Sequence, residues 1–130
     1  MITIELLQKV CPGTKKTILE KYVGPLYTIA LYYDIADTKE RTAAFIAQLA
    51  HESGGFNIVI ENLNYSAEGL TLETPSGAAV SAGWFWDTNK LNSYCDKNDF
   101  IGLTKRINGG TNGLADRQHH YEVALQYLKV

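Results

Sequence analysis

Hydrophobic positions recur at helical spacing along most of the chain, and no segment alternates strongly with period two. The first predicted helix follows Thr3, whose hydroxyl can cap it, and ends at Pro12-Gly13. The second follows Thr14 as its cap, and Pro25 should restart or kink it. The apolar positions that define the two helices are Leu6, Leu7, Val10, Ile18, Leu19, Tyr22, Val23, Leu26, Ile29, Ala30 and Tyr33.

The clearest predicted helix runs from about residue 38 to residue 52. Asp37 followed by Glu40 has the spacing of a capping box, in which two side chains satisfy the first free amides of a helix. Gly54-Gly55 should end this helix, because glycine readily adopts the left-handed conformation that closes one. Residues 57–62 are compatible with a short extended piece.

The second half predicts further helices joined by longer loops. Ser76 should begin one, and Asp99 should cap another. Residues 107–114 are too rich in glycine for regular structure. A final helix follows, with one buried stripe. The stripe consists of Arg117, Tyr121, Ala124, Leu125 and Leu128. The predicted fold class is mainly α.

Length and charge limit the classes of protein that need consideration. A chain of 130 residues suits a single domain spanning residues 1–130. The net charge of −2 does not indicate a nucleic-acid partner. No apolar run reaches the roughly 18 residues of a membrane span, so membrane insertion is not expected. The N-terminus does not resemble a signal peptide, which predicts synthesis in the cytoplasm.

Cysteine and histidine give little sign of redox or metal chemistry. Cys11 and Cys95 allow either one disulfide or two reduced, packed thiols. His51, His119 and His120 lack partners at metal-ligand spacing, and His119-His120 is expected on a solvated helix face. Because phosphate-binding and serine-nucleophile motifs are also missing from the sequence, no metal and no cofactor are predicted.

Glu52 is the strongest candidate for acid chemistry. It ends the clearest predicted helix at the edge of the apolar face, where partial desolvation should raise the pKa of its carboxyl toward that of a general acid. The helix dipole disfavours a carboxylate there. The alternative is an ordinary solvated or ion-paired glutamate. Glu61 can return across from Glu52, as in inverting glycosidases, whose two carboxyl groups stand about 6.5–9.5 Å apart.

Other polar and aromatic residues have two interpretations each. Asn62, Asn64, Tyr65 and Ser66 suit either a sugar site or a simple turn. Arg117 on the buried stripe needs a carboxylate partner. The partners open to it are Glu61, Glu52, Asp116 and Glu122. Residues 84–86, of sequence Trp-Phe-Trp, can stack on a sugar or fill the core, and for the first two we favour the core.

Two long segments stand out as motifs. The first is AFIAQLAHESGGF…ENLNYSAEGL, residues 44–70. The second is AAVSAGWFWDTNKLN…LTKRINGGTNGLADRQHHY, residues 78–121. Both resemble segments of family 19 glycoside hydrolases in their phage-endolysin branch. The first forty residues also fit the family's leading helices. The resemblance therefore covers nearly the whole chain, and the two motifs together are far more specific than His-Glu-Ser alone.

The resemblance implies a lysozyme-like α-helical domain with a glycan cleft between two lobes. It also implies cleavage of the β-1,4 bonds of peptidoglycan, or of chitin, by inversion and without a cofactor. Glu52 matches the general acid and Glu61 the second carboxylate. Substrate-binding positions match His51, Asn64, Tyr65, Ser66, Asn108 and Arg117. An enzyme of this type reaches the cell wall after release from the cytoplasm, through a holin.

The chain departs from the family between its two motifs. Family members normally carry a long glycine- and arginine-rich segment there, whereas only a few residues around 71–73 span the gap here. One lobe is therefore expected to be reduced. This leaves an alternative function open, namely an impaired relative that acts as a glycan- or protein-binding module. Apolar surface exposed by the shortened lobe would also allow a homodimer.

Overall fold

A computed structural model describes residues 1–56 and 74–128. These residues form seven α-helices and one short 3-10 helix, with no strand among them, which confirms the mainly α prediction. The helices are α1 (Ile4–Val10), α2 (Lys16–Tyr32), α3 (Lys39–Glu52), α4 (Pro75–Thr88), α5 (Asn92–Asp96), α6 (Phe100–Asn108) and α7 (Leu114–Tyr127), and Ile35–Asp37 forms the 3-10 turn. Within the described ranges, no helix is long and apolar enough to cross a membrane.

Side-chain caps define several helix starts, although two lie at residues other than those predicted. Thr3 and Asp99 cap α1 and α6 as expected. The cap of α3 is Thr38, whose hydroxyl accepts from an amide at 3.0 Å, and the predicted cap Asp37 lies in the 3-10 turn. Thr74 caps α4 in place of Ser76, because Pro75 occupies the first helical position, for which its fixed φ is suited.

The predicted cap of α2 is wrong, and the helix is not restarted by its proline. Thr14 lies before the helix and donates its hydroxyl to the carbonyl oxygen of Gly55 at 2.7 Å. Helix α2 continues through Pro25 to Tyr32. Gly24 precedes this proline, and a residue without Cβ lessens the clash that normally disfavours helix before proline.

Helix α3 lies at the centre of the structure. It packs mainly against α7, while α2 packs against α4, and α1 contacts both α2 and α7. Every residue from 42 to 50 is buried, so α3 is enclosed on all faces rather than along one stripe. Phe45 of α3 meets Trp86 of α4 edge to face, with ring centroids 5.1 Å apart. The end of α3 that carries Glu52 is therefore held by the core.

Both cysteines are free and buried, so the disulfide alternative is wrong for this structure. Burial raises the pKa of Cys11 to about 12, and the nearby Asp116 charge adds to the effect. Burial likewise raises the pKa of Cys95 to about 12. Both side chains consequently remain neutral thiols at physiological pH and pack as small apolar groups.

Substitution of Gly83 with alanine is expected to lower the free energy of unfolding by about 1–3 kcal/mol, as overpacked cores do. A Cβ at this position of α4 would lie 2.1 Å from a methyl carbon of Ile29 and 2.8 Å from the ring of Tyr33, both from the α2 region. This clash outweighs the roughly 1 kcal/mol by which alanine favours a helix over glycine.

Urea unfolding of the Gly83→Ala variant measures this loss. Gly110→Ala is the matched control, because a Cβ there meets nothing within 4 Å. A Gly83→Ala variant as stable as the control would show that α2 and α4 can separate without cost.

Candidate active site

The last turns of α3 direct two polar side chains toward α7. Gln48 and Glu52 are one helical turn apart, so they lie on the same face. Gln48 is fully buried, and the Glu52 side chain is only 4% exposed. This confirms that the Glu52 carboxyl is desolvated. Because a carboxylate is also disfavoured at a helix C-terminus, it requires a compensating cation.

Arg117 supplies that cation from α7. Its guanidinium donates to Oε1 of Glu52 at 2.5 Å and to Oε1 of Gln48 at 2.5 Å. Its Nε donates to the carbonyl oxygen of Asn112 at 3.1 Å. The Arg117 side chain is 1% exposed, so the pair with Glu52 is shielded from water. Of the four carboxylates open to Arg117 from the sequence, the structure therefore pairs it with Glu52.

Gln48 extends this network to a third helix. Its amide donates to Oγ1 of Thr104 on α6 at 3.1 Å, and Thr104 in turn donates to the carbonyl oxygen of Phe100. Gln48 and Thr104 were both missed from the sequence. A glutamine one turn before a candidate acid, inside an otherwise apolar run, is the signal that would have indicated Gln48. The Arg117 fork is oriented by Gln48, which Thr104 holds, and by the backbone carbonyl of Asn112.

The chain leaves the Glu52 end of α3 through a tightly bonded turn. Gly54, Gly55 and Phe56 all adopt left-handed backbone conformations, at φ of 59°, 77° and 70°. The amide of Gly55 donates to the carbonyl oxygen of Ala50 at 2.8 Å, which confirms the predicted glycine closure. Ser53 accepts from the Phe56 amide at 2.7 Å. Phe56 is buried, so packing holds a conformation that is costly for a residue with a side chain.

His51 lies in a second cluster, centred on Asp116 of α7. Nδ1 of His51 lies 2.7 Å from Oδ2 of Asp116, and Nε2 of His120 lies 3.2 Å from the same oxygen. Burial opposes ionisation of Asp116, but the hydrogen bond from His51 and the charges of both histidines outweigh it and lower the pKa of the Asp116 carboxyl. His119 is exposed as predicted, whereas His120 is partly buried.

The His51 ring borders an open pocket of about 390 Å³ between the α1–α2 loop and the turn after α3. Gly113, the N-cap residue of α7, has a φ of 72°, and a Cβ there would lie 2.3 Å from the His51 ring. Only glycine therefore permits this contact. The ring is fixed between Gly113 and Asp116 at the side of the helix next to Glu52.

Of the remaining predicted site residues, Asn108 lies among the described residues and the others do not. Asn108 is the last residue of α6 and is half-buried, followed by Gly109 at φ 83°. The glycine-rich stretch at residues 107–114 was predicted to be irregular, and only residues 109–113 are. Its first two residues end α6, and its last residue begins α7. Glu61, Asn64, Tyr65 and Ser66 lie outside the described residues, as does the extended piece predicted at 57–62.

The aromatic cluster of α4 divides between core and surface. Trp86 is fully buried and donates its indole N–H to Asn92 at 2.9 Å, and Phe85 is also buried. The prediction of a core position was therefore right for Phe85 but wrong for Trp84, which is 38% exposed. Consecutive helical residues are turned by about 100°, and α4, unlike the middle of α3, keeps a solvent-facing side, on which Trp84 lies with Asp87 and Thr88.

The described residues thus bring together Glu52, Arg117 and Gln48, with His51 on the adjacent side of the helix end. A buried carboxyl held by a guanidinium can serve acid–base chemistry. Among residues 1–56 and 74–128, no group of three or more histidine, cysteine or acidic side chains is arranged to hold a metal ion. A comparison of the sequence with models of known protein families finds no match.

Proposed function

We propose that this protein is an endolysin-type glycoside hydrolase that cleaves the β-1,4 bonds of peptidoglycan, with Glu52 as its general acid. The observation that carries the proposal is the buried set of Glu52, Arg117 and Gln48 at the end of the central helix. A carboxyl at this position costs helix-dipole and desolvation energy, which makes it a candidate for a functional group as well as for a structural ion pair. The proposal includes a lysozyme-like arrangement of two lobes around a glycan cleft, with one lobe reduced.

In the proposed reaction, Glu52 donates a proton to the oxygen of the leaving sugar. Arg117 holds Oε1, so Oε2 is the oxygen that carries the transferred proton. Glu61 takes a proton from a water molecule as that water attacks the anomeric carbon from the opposite face. The glycosidic bond breaks, the water becomes the new hydroxyl, and the configuration is inverted. The fixed guanidinium keeps the acid in one orientation, which is a requirement for efficient proton transfer.

The proposed function also requires residues that bind the sugars and a route to the cell wall. His51, Asn64, Tyr65, Ser66 and Asn108 would hydrogen bond to the sugars, and His51 is already oriented by Asp116. No cofactor takes part. The protein would reach the cell wall after release through a holin. The cell-wall glycan is thus its partner, and a homodimer through apolar surface remains a secondary proposal.

Incubation of the purified protein with isolated peptidoglycan sacculi should release new reducing ends, and we expect a turnover well below that of relatives with the full central segment. The slower rate follows from the short chain between the two motifs, which leaves less protein to hold sugar and water. Reducing-end assays measure the rate, and proton NMR of a chitooligosaccharide digest reports whether the first product is the inverted anomer.

The rate of the parent is compared with that of Glu52→Gln, which should be far slower, and Glu122→Gln is the matched control. Glu122 is exposed on α7, so the same chemical change there should leave the rate unaltered. Sacculi that bind the protein but yield no reducing ends would overturn the hydrolase proposal and favour the glycan-binding alternative. A rate equal to that of longer relatives would overturn only the expected effect of the shortening.

A further inference from the structure

Asp116 holds two histidines at the open pocket of about 390 Å³ beside the turn after α3. Both rings contact the same carboxylate oxygen, since Nδ1 of His51 lies 2.7 Å from Oδ2 and Nε2 of His120 lies 3.2 Å from it. These three side chains line the pocket, whereas Glu52 and Arg117 do not. The cluster is therefore separate from the buried network around Glu52.

Asp116 determines which ring nitrogens carry hydrogen. Its carboxylate can only accept hydrogen bonds, and its pKa is lowered despite burial because both histidines favour the charged form. The nitrogen that faces Oδ2 must therefore carry hydrogen in each ring, namely Nδ1 in His51 and Nε2 in His120. In a neutral imidazole of this kind, the other nitrogen has a free lone pair and is a base.

Solvent can reach only one of these two free nitrogens. Nδ1 of His120 is buried and has no hydrogen-bond partner in the described part of the chain. Nε2 of His51 has no partner there either, but it is not a buried atom. A Cβ on Gly113 would lie 2.4 Å from this Nε2, so glycine at that position keeps the nitrogen open. His51 is thus the accessible base of the cluster.

We propose that His51 and Asp116 form a general-base dyad that hydrolyses small acyl esters in this pocket. His51 is the catalytic residue, because its Nε2 would contact the attacking water. Asp116 is the positioning residue, because it holds the imidazole in the tautomer whose Nε2 is free, as the aspartate of a hydrolase triad does. This activity is additional to the glycan cleavage proposed above and does not rest on it.

The composition of the pocket indicates the substrate class. Cys11 lines it but remains a neutral thiol, so the nucleophile is water rather than a thiolate. Val10, Pro12 and Ala50 supply apolar surface for a short acyl chain. The volume lies at the lower end of the range for small-molecule sites. A site with one accessible base suits an ester, which is cleaved more easily than an amide.

In the proposed step, Nε2 of His51 takes a proton from a water molecule while the water oxygen bonds to the acyl carbon. The tetrahedral adduct then breaks its bond to the alcohol oxygen, and the imidazolium returns the proton to that oxygen. The products are a carboxylic acid and an alcohol, and His51 is neutral again. Asp116 stays ionised throughout and stabilises the imidazolium.

Hydrolysis of p-nitrophenyl acetate tests the proposal. We expect kcat/KM to exceed the second-order rate constant of free imidazole by about a hundredfold or more, as for a positioned base. His51→Gln should lose this advantage. His119→Gln is the matched control, because His119 is an exposed histidine of α7 outside the pocket, and it should react as the parent does. A parent no faster than free imidazole, or equal losses in both variants, would overturn the dyad.

Asp116→Asn tests the positioning role. An asparagine amide can donate to Nδ1 of His51, which no longer requires hydrogen on that nitrogen. Long-range proton–nitrogen NMR spectra should show the Nδ1–H tautomer in the parent and its loss in the variant, together with a lower kcat and a similar KM. An unchanged tautomer or an unchanged kcat would show that Asp116 does not position His51.

Diethylpyrocarbonate, which acylates accessible unprotonated imidazole nitrogens, gives a readout that needs no variant. Peptide mapping by mass spectrometry should find His51 and His119 modified and His120 spared, with loss of ester hydrolysis as His51 reacts. Modification of His120 with His51 intact would overturn the choice of base. Thermal melting verifies that each variant is folded before it is assayed.

The two proposed activities can fail independently. Ester hydrolysis that requires His51, in a protein that releases no reducing ends from sacculi, would support the dyad and count against the glycosidase alone. Cleavage of sacculi by a protein that does not hydrolyse the ester would overturn the dyad alone.

Discussion

The Glu52→Gln variant is expected to cleave peptidoglycan at least about a hundredfold more slowly than the parent, the usual size of a lost general acid. Glutamine has the same shape as glutamate, and its amide oxygen can still accept from Arg117. It has no proton of suitable acidity for a leaving sugar. A substrate with a nitrophenolate leaving group needs no proton, so the variant should retain far more activity on that substrate.

Stability must be separated from chemistry in this experiment. Glu52→Gln leaves the buried guanidinium of Arg117 without its counter-charge, so the variant should also melt at a lower temperature. Gln48→Leu is the matched control, since it removes another bond to Arg117 and leaves the carboxylate in place. If Gln48→Leu and Glu52→Gln lose activity equally at similar stability, Glu52 has a structural role and the acid assignment is wrong.

The Arg117→Met variant is expected to lower the free energy of unfolding by about 3–5 kcal/mol, because it leaves the Glu52 carboxylate buried without a cation. Gln48 and the Asn112 carbonyl lose a donor at the same time. Chemical denaturation measures this loss, which is read from the shift in midpoint when the m-value of the variant equals that of the parent. This would be the largest effect of a single substitution that the described contacts indicate.

Arg41→Met is the matched control for the Arg117 variant. Arg41 makes a two-bond pair with Asp96, at 2.9 and 2.8 Å, but this aspartate is 44% exposed. An exposed pair of this kind contributes about 1 kcal/mol or less. The double variant Glu52→Gln/Arg117→Met should be more stable than Arg117→Met alone, because it removes both buried charges. Equal losses for Arg117→Met and Arg41→Met would show that water reaches the Glu52 carboxylate.

Local patterns in the sequence predicted most of the helices, and the errors have physical causes. Apolar spacing located α3 and α7, because burial of one face requires that spacing. Thr38 competes with Asp37 for the cap of α3, and both residue types suit it. Helix α5 was missed because five residues carry too little periodicity to identify.

The candidate site was predictable in its residues but not in its pairing. Each of the two charged residues has a local signal in the sequence. Glu52 ends a predicted helix, and Arg117 lies on a predicted buried stripe. Their contact joins positions 65 residues apart. From the sequence, four carboxylates were equally possible partners of Arg117. Gln48 has one weak local signal, as a polar residue inside an apolar run one turn before Glu52, whereas nothing in the local sequence of Thr104 distinguishes it from residues that merely fill space. Tertiary packing of α3 against α7 decides all of these contacts.

The long separation of the buried pair also sets an order of events during synthesis. A ribosome adds about 5–20 residues per second, so Arg117 follows Glu52 out of the exit tunnel by roughly 3–13 s. Until then α3 lacks its main packing partner, and its terminal carboxylate is hydrated. The nascent chain therefore exposes for seconds the helix that is enclosed on all faces in the folded protein, which makes this interval the one in which chaperone binding or aggregation competes most strongly with folding.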